Sequence, residues 1–206
     1  MDPLFSIEES LSFGWAKTKE HSGLIFKSLL TLFAVQIAYM IVEKVLVGTL
    51  MGILGQIALT FAEFVVGVGL TLITLRIAQG KHVEFKDIIP PVDVLWRYFV
   101  ASLVAGLIII IGFVCFIIPG IYFTLRLSMY RFAVLDGAGI MESLSKSSVA
   151  TRGVRWHLLG FFLVAVLINI LGAILLLVGL LVTIPVTAIA YAHIYQKLSH
   201  HRSHSA

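Results

Sequence analysis

Residues 156–196 read WHLLGFFLVAVLINILGAILLLVGLLVTIPVTAIAYAHIYQ, 41 consecutive positions between Arg155 and Lys197 without one Asp, Glu, Lys or Arg. Bilayer hydrocarbon is about 30 Å thick and an α-helix rises about 1.5 Å per residue, so a single helix of this length would be about twice too long. The run therefore reads as two spans with a fold-back near Gly179, and the chain as an integral membrane protein.

The rest of the chain agrees. It is 59% hydrophobic and 13% charged, where soluble domains carry roughly a quarter charged residues. Its 206 residues suit one compact membrane domain, 1–206. The net charge of +4 matters through its placement, because basic residues mark cytoplasmic loops and meet anionic head groups. No dense Lys/Arg stripe supports nucleic-acid binding. The lone Cys115 sits in an apolar run and reads as a packing or lipid-facing residue. Met1–His21 carries Asp2, Glu8, Glu9, Lys17, Lys19 and Glu20 and lacks the apolar core of a cleavable signal peptide.

Charge-poor stretches fall in pairs: about Gly23–Val47 and Met51–Ile77, Tyr98–Ile118 and Pro119–Leu135, Arg155–Leu176 and Leu180–Leu198. Loops within each pair are short. Met1–Ser22, Ala78–Arg97, Asp136–Val154 and the tail hold nearly all Lys and Arg, with Lys44 as the exception. The expected fold is all-α: a polytopic bundle of six transmembrane helices in three hairpins, with short cytoplasmic amphipathic helices. The positive-inside rule places both termini in the cytoplasm. Ile7, Glu9, Ser10, Leu11, Ser12 and Thr18 recur at one offset as Ile140, Glu142, Ser143, Leu144, Ser145 and Thr151, which suggests repeat units of about 6–77, 81–135 and 138–198. Gly106 with Pro119 echoes Gly172 with Pro185 more weakly.

Before the first span, Ser6 and Glu9 fit a capping box, in which each side chain satisfies a free amide at the helix start. Ile7, Leu11 and Trp15 then share a face. Such a helix either lies at the head-group boundary, anchored by Trp15 with Lys17, Lys19 and the matching Arg152 toward phosphates, or packs beneath the bundle. Pro90 and Pro91 break the middle unit, and Trp96 and Tyr98 mark a membrane boundary. Tyr191, His193 and Tyr195 read as an interfacial belt. Gly67/Thr71, Ser102/Gly106 and Ala188/Ala192, each four apart, read as close-packing surfaces.

Glu63 and Arg126 are ionisable residues expected inside spans, where a charge costs at least about 2.5 kcal/mol and calls for a partner or a wet cavity. A Glu63–Arg126 pair, completed by Gln36 and Asn169 near the midplane, is the expected intramembrane polar cluster. It would hold helices in register or line a substrate path. His200, His201 and His204 form a loose tail cluster without metal-site geometry. No catalytic order of Ser, His and acid, phosphate loop or metalloprotease helix appears, so no catalytic residue, metal or cofactor is expected.

Pro119-Gly120-Ile121-Tyr122, Arg126, Ala133-Val134-Leu135-Asp136-Gly137, Glu142–Ser147 and Thr151-Arg152-Gly153 together resemble a group of bacterial and archaeal membrane proteins. They are similar to the membrane domain preceding the catalytic domain of some glycerophosphoryl diester phosphodiesterases and to YciC-like small membrane proteins. The resemblance implies a multi-span bundle and no activity, since hydrolysis in the fused enzymes belongs to a separate barrel. Ser145 and Ser147 depart from the usual pattern. The expectation is a non-enzymatic protein that binds or organises lipid, or a membrane-protein partner or second copy. The alternative is a small transporter using the Glu63/Arg126 cluster.

Overall fold

The computed structural model describes residues 5–174 and 179–203; the expected span end at Leu176, His204 and residues 1–4 lie outside them. Among the described residues the chain is helical and contains no strand. Its helices are α1 (Ile7–Glu20), α2 (Ser22–Val45), α3 (Leu50–Ala78), α4 (Val92–Cys115), α5 (Ile117–Leu127), α6 (Tyr130–Leu135), α7 (Ile140–Ala150), α8 (Arg155–Ile174) and α9 (Leu180–Ser203), with a 3-10 turn at Phe85–Ile88.

Among the described residues four segments are long and apolar enough to cross a membrane: α2, α3, Phe85–Cys115 and α8. The remaining two of the six expected spans take other forms. Pro119–Leu135 is divided, with α5 ending at Leu127 and α6 beginning at Tyr130. Eleven residues of α5 reach only about 16 Å at the helical rise. In α9 the apolar first half gives way to His193, Gln196, Lys197, His200 and His201.

Local chemistry accounts for several boundaries. Thr49 caps α3 by accepting from the Gly52 amide at 3.0 Å. Pro91 stands at the N-cap of α4, where its missing N–H costs nothing. Gly48, Gly80, Gly137 and Gly153 supply positive φ at four of the connections.

Buried side chains concentrate at the end of the bundle that carries the charged loops. Leu75, Ala78, Phe132, Ala133, Leu158, Phe161, Ile194 and Leu198 belong to one continuous core there. Toward the opposite end, Val45, Val47, Leu50, Met51, Val114, Phe116, Ile118, Leu171 and Ile174 are all exposed. Helix pairs α2/α3, α4/α5 and α8/α9 each pack together, while α3 and α4 touch only slightly.

α9 is the hub, in contact with α1, α3, α7 and α8. α1 lies along it through Ser10, Gly14 and Thr18, its buried face. Of its two expected placements α1 takes the one packed against the bundle, with Trp15 exposed; a stripe of small residues, offset from the apolar face, makes the seam. Ile7 and Leu11 pack against the edge of the core. A Cβ at Gly14 would lie 2.3 Å from the Val186 carbonyl oxygen, so only glycine lets the backbones meet. Phe13 stacks on His193 at 3.9 Å between ring centroids.

The capping box forms only in half. Ser6 accepts from the Glu9 amide at 3.4 Å, but the Glu9 carboxylate reaches across to Lys197 Nζ at 2.6 Å. Three other packing expectations also change. Nothing lies within 4 Å of a Cβ built on Gly67 or Gly106, so those small residues mark no helix approach. Tyr195 is buried, and Tyr191 packs against Phe132, Phe161 and Phe162, so this part of the belt turns inward. Close approach instead occurs at Gly69, whose Cβ would collide with the Ile88 backbone.

Gly14→Val should cost about 1–3 kcal/mol by overpacking the α1–α9 seam and lower the thermal midpoint in detergent; Gly67→Val should leave it nearly unchanged. The Lys197 hydrogen bond and charge hold the Glu9 carboxyl below its usual range. A lowered folded-state pKa adds stability above the unfolded value that is lost as pH falls through the folded one. Acidification through the carboxylate range should therefore loosen the seam, measured as faster amide exchange in α1, and Glu9→Gln should remove that pH dependence.

Candidate functional site

The four residues expected to form one polar cluster lie in three separate contacts. Gln36 Nε2 on α2 donates to Glu63 Oε1 on α3 at 2.5 Å. Asn169 Nδ2 on α8 donates to the Ala165 carbonyl at 2.8 Å and to Thr187 Oγ1 on α9 at 3.3 Å. Arg126 Nε, at the end of α5, donates to Ser148 Oγ on α7 at 2.7 Å. No Glu63–Arg126 ion pair occurs among the described residues. Each polar group binds the helix nearest to it.

Arg126 also marks where the fourth expected span breaks. Between α5 and α6, Ser128 and Met129 interrupt the helix, leaving backbone groups that must find partners away from water. α7 supplies them. Ser147 Oγ donates to the Arg126 carbonyl at 3.0 Å and accepts from the Met129 amide at 3.1 Å. Thr151 Oγ1 donates to the same carbonyl at 3.2 Å. Ser147 and Thr151 are wholly buried. Ser147 therefore bridges both ends of the interruption, while Ser145 faces outward.

The expected head-group cations are all at the charged end. Lys17 pairs with Glu20 at 2.7 Å, and Lys19 Nζ sits 4.8 Å above the centre of the Trp15 ring. Arg152 is exposed in the turn after α7. Among the described residues no three His, Cys, Asp or Glu side chains converge as a metal site would require.

Two arginines were not anticipated as site residues. Arg131, on α6, follows Arg126 by five positions inside what reads as one apolar span; that second guanidinium was the available signal. Arg155 opens α8, and its Nη1 donates to the Tyr122 hydroxyl at 3.0 Å while the guanidinium stacks over that ring at 4.6 Å. Read as a boundary charge, it instead ties α8 to α5.

A groove of about 760 Å³ lies between the α2/α3 pair and α4. Its walls include Ile53, Ile57, Phe61, Phe64, Leu95 and Phe99, with Tyr39, Gln56 and Thr60 as the polar contributions. Phe64 meets Phe99 edge-on, with ring centroids 5.9 Å apart. The space persists because α3 and α4 touch only slightly, mainly at the charged end. No family model, curated protein or solved structure matches the chain.

Ser147→Ala should destabilise the fold by about 1–3 kcal/mol, because it strands the buried Met129 amide. Ser145→Ala should fall within about 0.5 kcal/mol of wild type, as exposed substitutions usually do. Thermal or denaturant unfolding in detergent measures both.

Proposed function

We propose that this chain is a non-enzymatic, multi-pass protein of the cytoplasmic membrane that binds lipid laterally, between its hairpins. The observation that carries this reading is the groove between α2/α3 and α4. Its volume, about 760 Å³, falls in the range of roughly 300–1,000 Å³ typical of ligand sites. Its walls are nearly all apolar and are formed by helices of membrane length. In a bilayer, the molecules beside such a groove are lipids.

In this reading the chain crosses the membrane six times as three hairpins. α5 and α6 form one interrupted span, and α9 returns to the cytoplasm with both termini on that side. Basic loops at Ala78–Arg97 and Asp136–Val154 then face anionic head groups. The resemblance to phosphodiesterase membrane domains agrees with a binding or organising role. Transport along a Glu63–Arg126 path has less support, because the two residues are engaged on different helix pairs.

Native mass spectrometry of protein extracted from membranes tests the proposal. Wild-type protein should retain at least one lipid. Thr60→Trp, which fills the groove with an indole, should reduce retention about tenfold at unchanged thermal stability, the equivalent of about 1.4 kcal/mol. Retention of no lipid by wild type, or equal retention by both proteins, would contradict it.

A further inference from the structure

A second recess lies between α2, α3, α6 and α9, about 230 Å³ in volume, with Arg131 in its wall. Ile25, Leu29, Leu70 and Ile184 make it largely apolar. Arg131 is accessible from this space. Its Nε donates to the Tyr130 hydroxyl at 3.3 Å, and its guanidinium lies 5.8 Å from the centre of that ring. No carboxylate pairs with it among the described residues, and its titratable neighbours are the tyrosines Tyr98, Tyr130 and Tyr191. An arginine in apolar surroundings without an anion is expensive.

The donors around the recess are few. Ser28, Thr71 and Thr74 also line it, but their hydroxyls donate to the Leu24, Gly67 and Thr71 carbonyls of their own helices. The Tyr130 hydroxyl donates to Ser102 at 3.1 Å. The Tyr191 hydroxyl is different: it is buried and makes no hydrogen bond of ordinary geometry, with Ser128 the polar group beside it. The terminal nitrogens of Arg131 and the Tyr191 hydroxyl are therefore the groups left to donate.

We propose that Arg131 and Tyr191 form a binding site for the phosphate of an anionic lipid, whose chains lie along the apolar walls of the recess. This rests on the lipid-binding reading above and names the chemistry of a second contact. A guanidinium fork engages two oxygens of one anion. Each of the two unesterified oxygens of a lipid phosphodiester keeps a lone pair that can accept from a hydroxyl on α9, and its ester arms carry the chains that the apolar walls would hold. Occupancy would supply the counter-charge that the protein withholds from Arg131 and would link α6 to α9 through the ligand.

The test uses the full chain in detergent, with dioctanoyl phosphatidylglycerol, dioctanoyl glycerol, inorganic phosphate and octanoate as probes in a direct binding titration. Wild type should bind the phosphatidylglycerol about tenfold or more tightly than the phosphate-free glyceride, the worth of a charge-assisted contact. Arg131→Gln should abolish that preference, and Arg131→Lys should recover part of it. Tyr191→Phe keeps the ring packing and should weaken phosphatidylglycerol a few-fold without changing the glyceride, so it decides the matter if Arg131→Gln fails to fold.

A preference that survives Arg131→Gln overturns the site. Equal affinity for octanoate would make it a carboxylate site, and inorganic phosphate binding as tightly would make it a free-anion site; either contradicts the proposal. If wild type binds both lipids equally, only this site fails. If it binds neither, the lipid-binding reading fails as well.

Discussion

Every backbone amide and carbonyl in an apolar setting needs a partner, and this chain interrupts a helix where water is scarce. The break at Ser128 and Met129 is tolerable because two hydroxyls on α7 take up the groups it releases. That requirement ties α7 to the junction of α5 and α6. α9 then draws together α1, α3, α7 and α8, with glycine at position 14 allowing α1 to lie against its backbone. The helix ends are knitted at one end of the molecule, and the hairpins are left to diverge at the other.

That division of labour shapes what the molecule can do. Apolar side chains contribute little attraction between helices in lipid, since lipid tails solvate them equally well. Helix pairs that expose Val45, Leu50, Val114 and Ile174 at the end away from the charged loops would have small incentive to close on one another in lipid. The recesses between helices are largely apolar. Arg131 in the wall of the smaller recess, and Arg155 at the start of α8, meet tyrosines rather than acids. The proposed lipid binding draws on this placement of cationic charge beside apolar space.

Much of this was visible in the amino-acid order. The long apolar runs announce α2, α3, α4 and α8, because length and absence of charge are enough to do so. Pro90-Pro91 likewise marks the start of α4. The interruption after Leu127 was not visible: no proline or glycine stands there, and its cause is Ser147 and Thr151, roughly twenty positions away. The seam of α1 is hard to read in the sequence for a related reason. Apolar periodicity singles out Ile7, Leu11 and Trp15, whereas the seam is made by Ser10, Gly14 and Thr18, whose value is their small size. Among polar groups, residue type identified those needing partners but not which partners they find. Gln36 takes Glu63 and Ser148 takes Arg126, because neighbouring helices offer shorter routes than the expected cross-bundle pair.

Placement in the bilayer is the claim on which the lipid-binding account stands, and single-cysteine accessibility in intact cells tests it most directly. With Cys115 replaced by alanine, cysteines at the exposed positions Val47 and Phe116 should react with a membrane-impermeant maleimide from outside. Cysteines at Lys81 and Ser145 should react only after the cells are opened. Labelling of Lys81 and Val47 from the same side of an intact membrane would contradict the account.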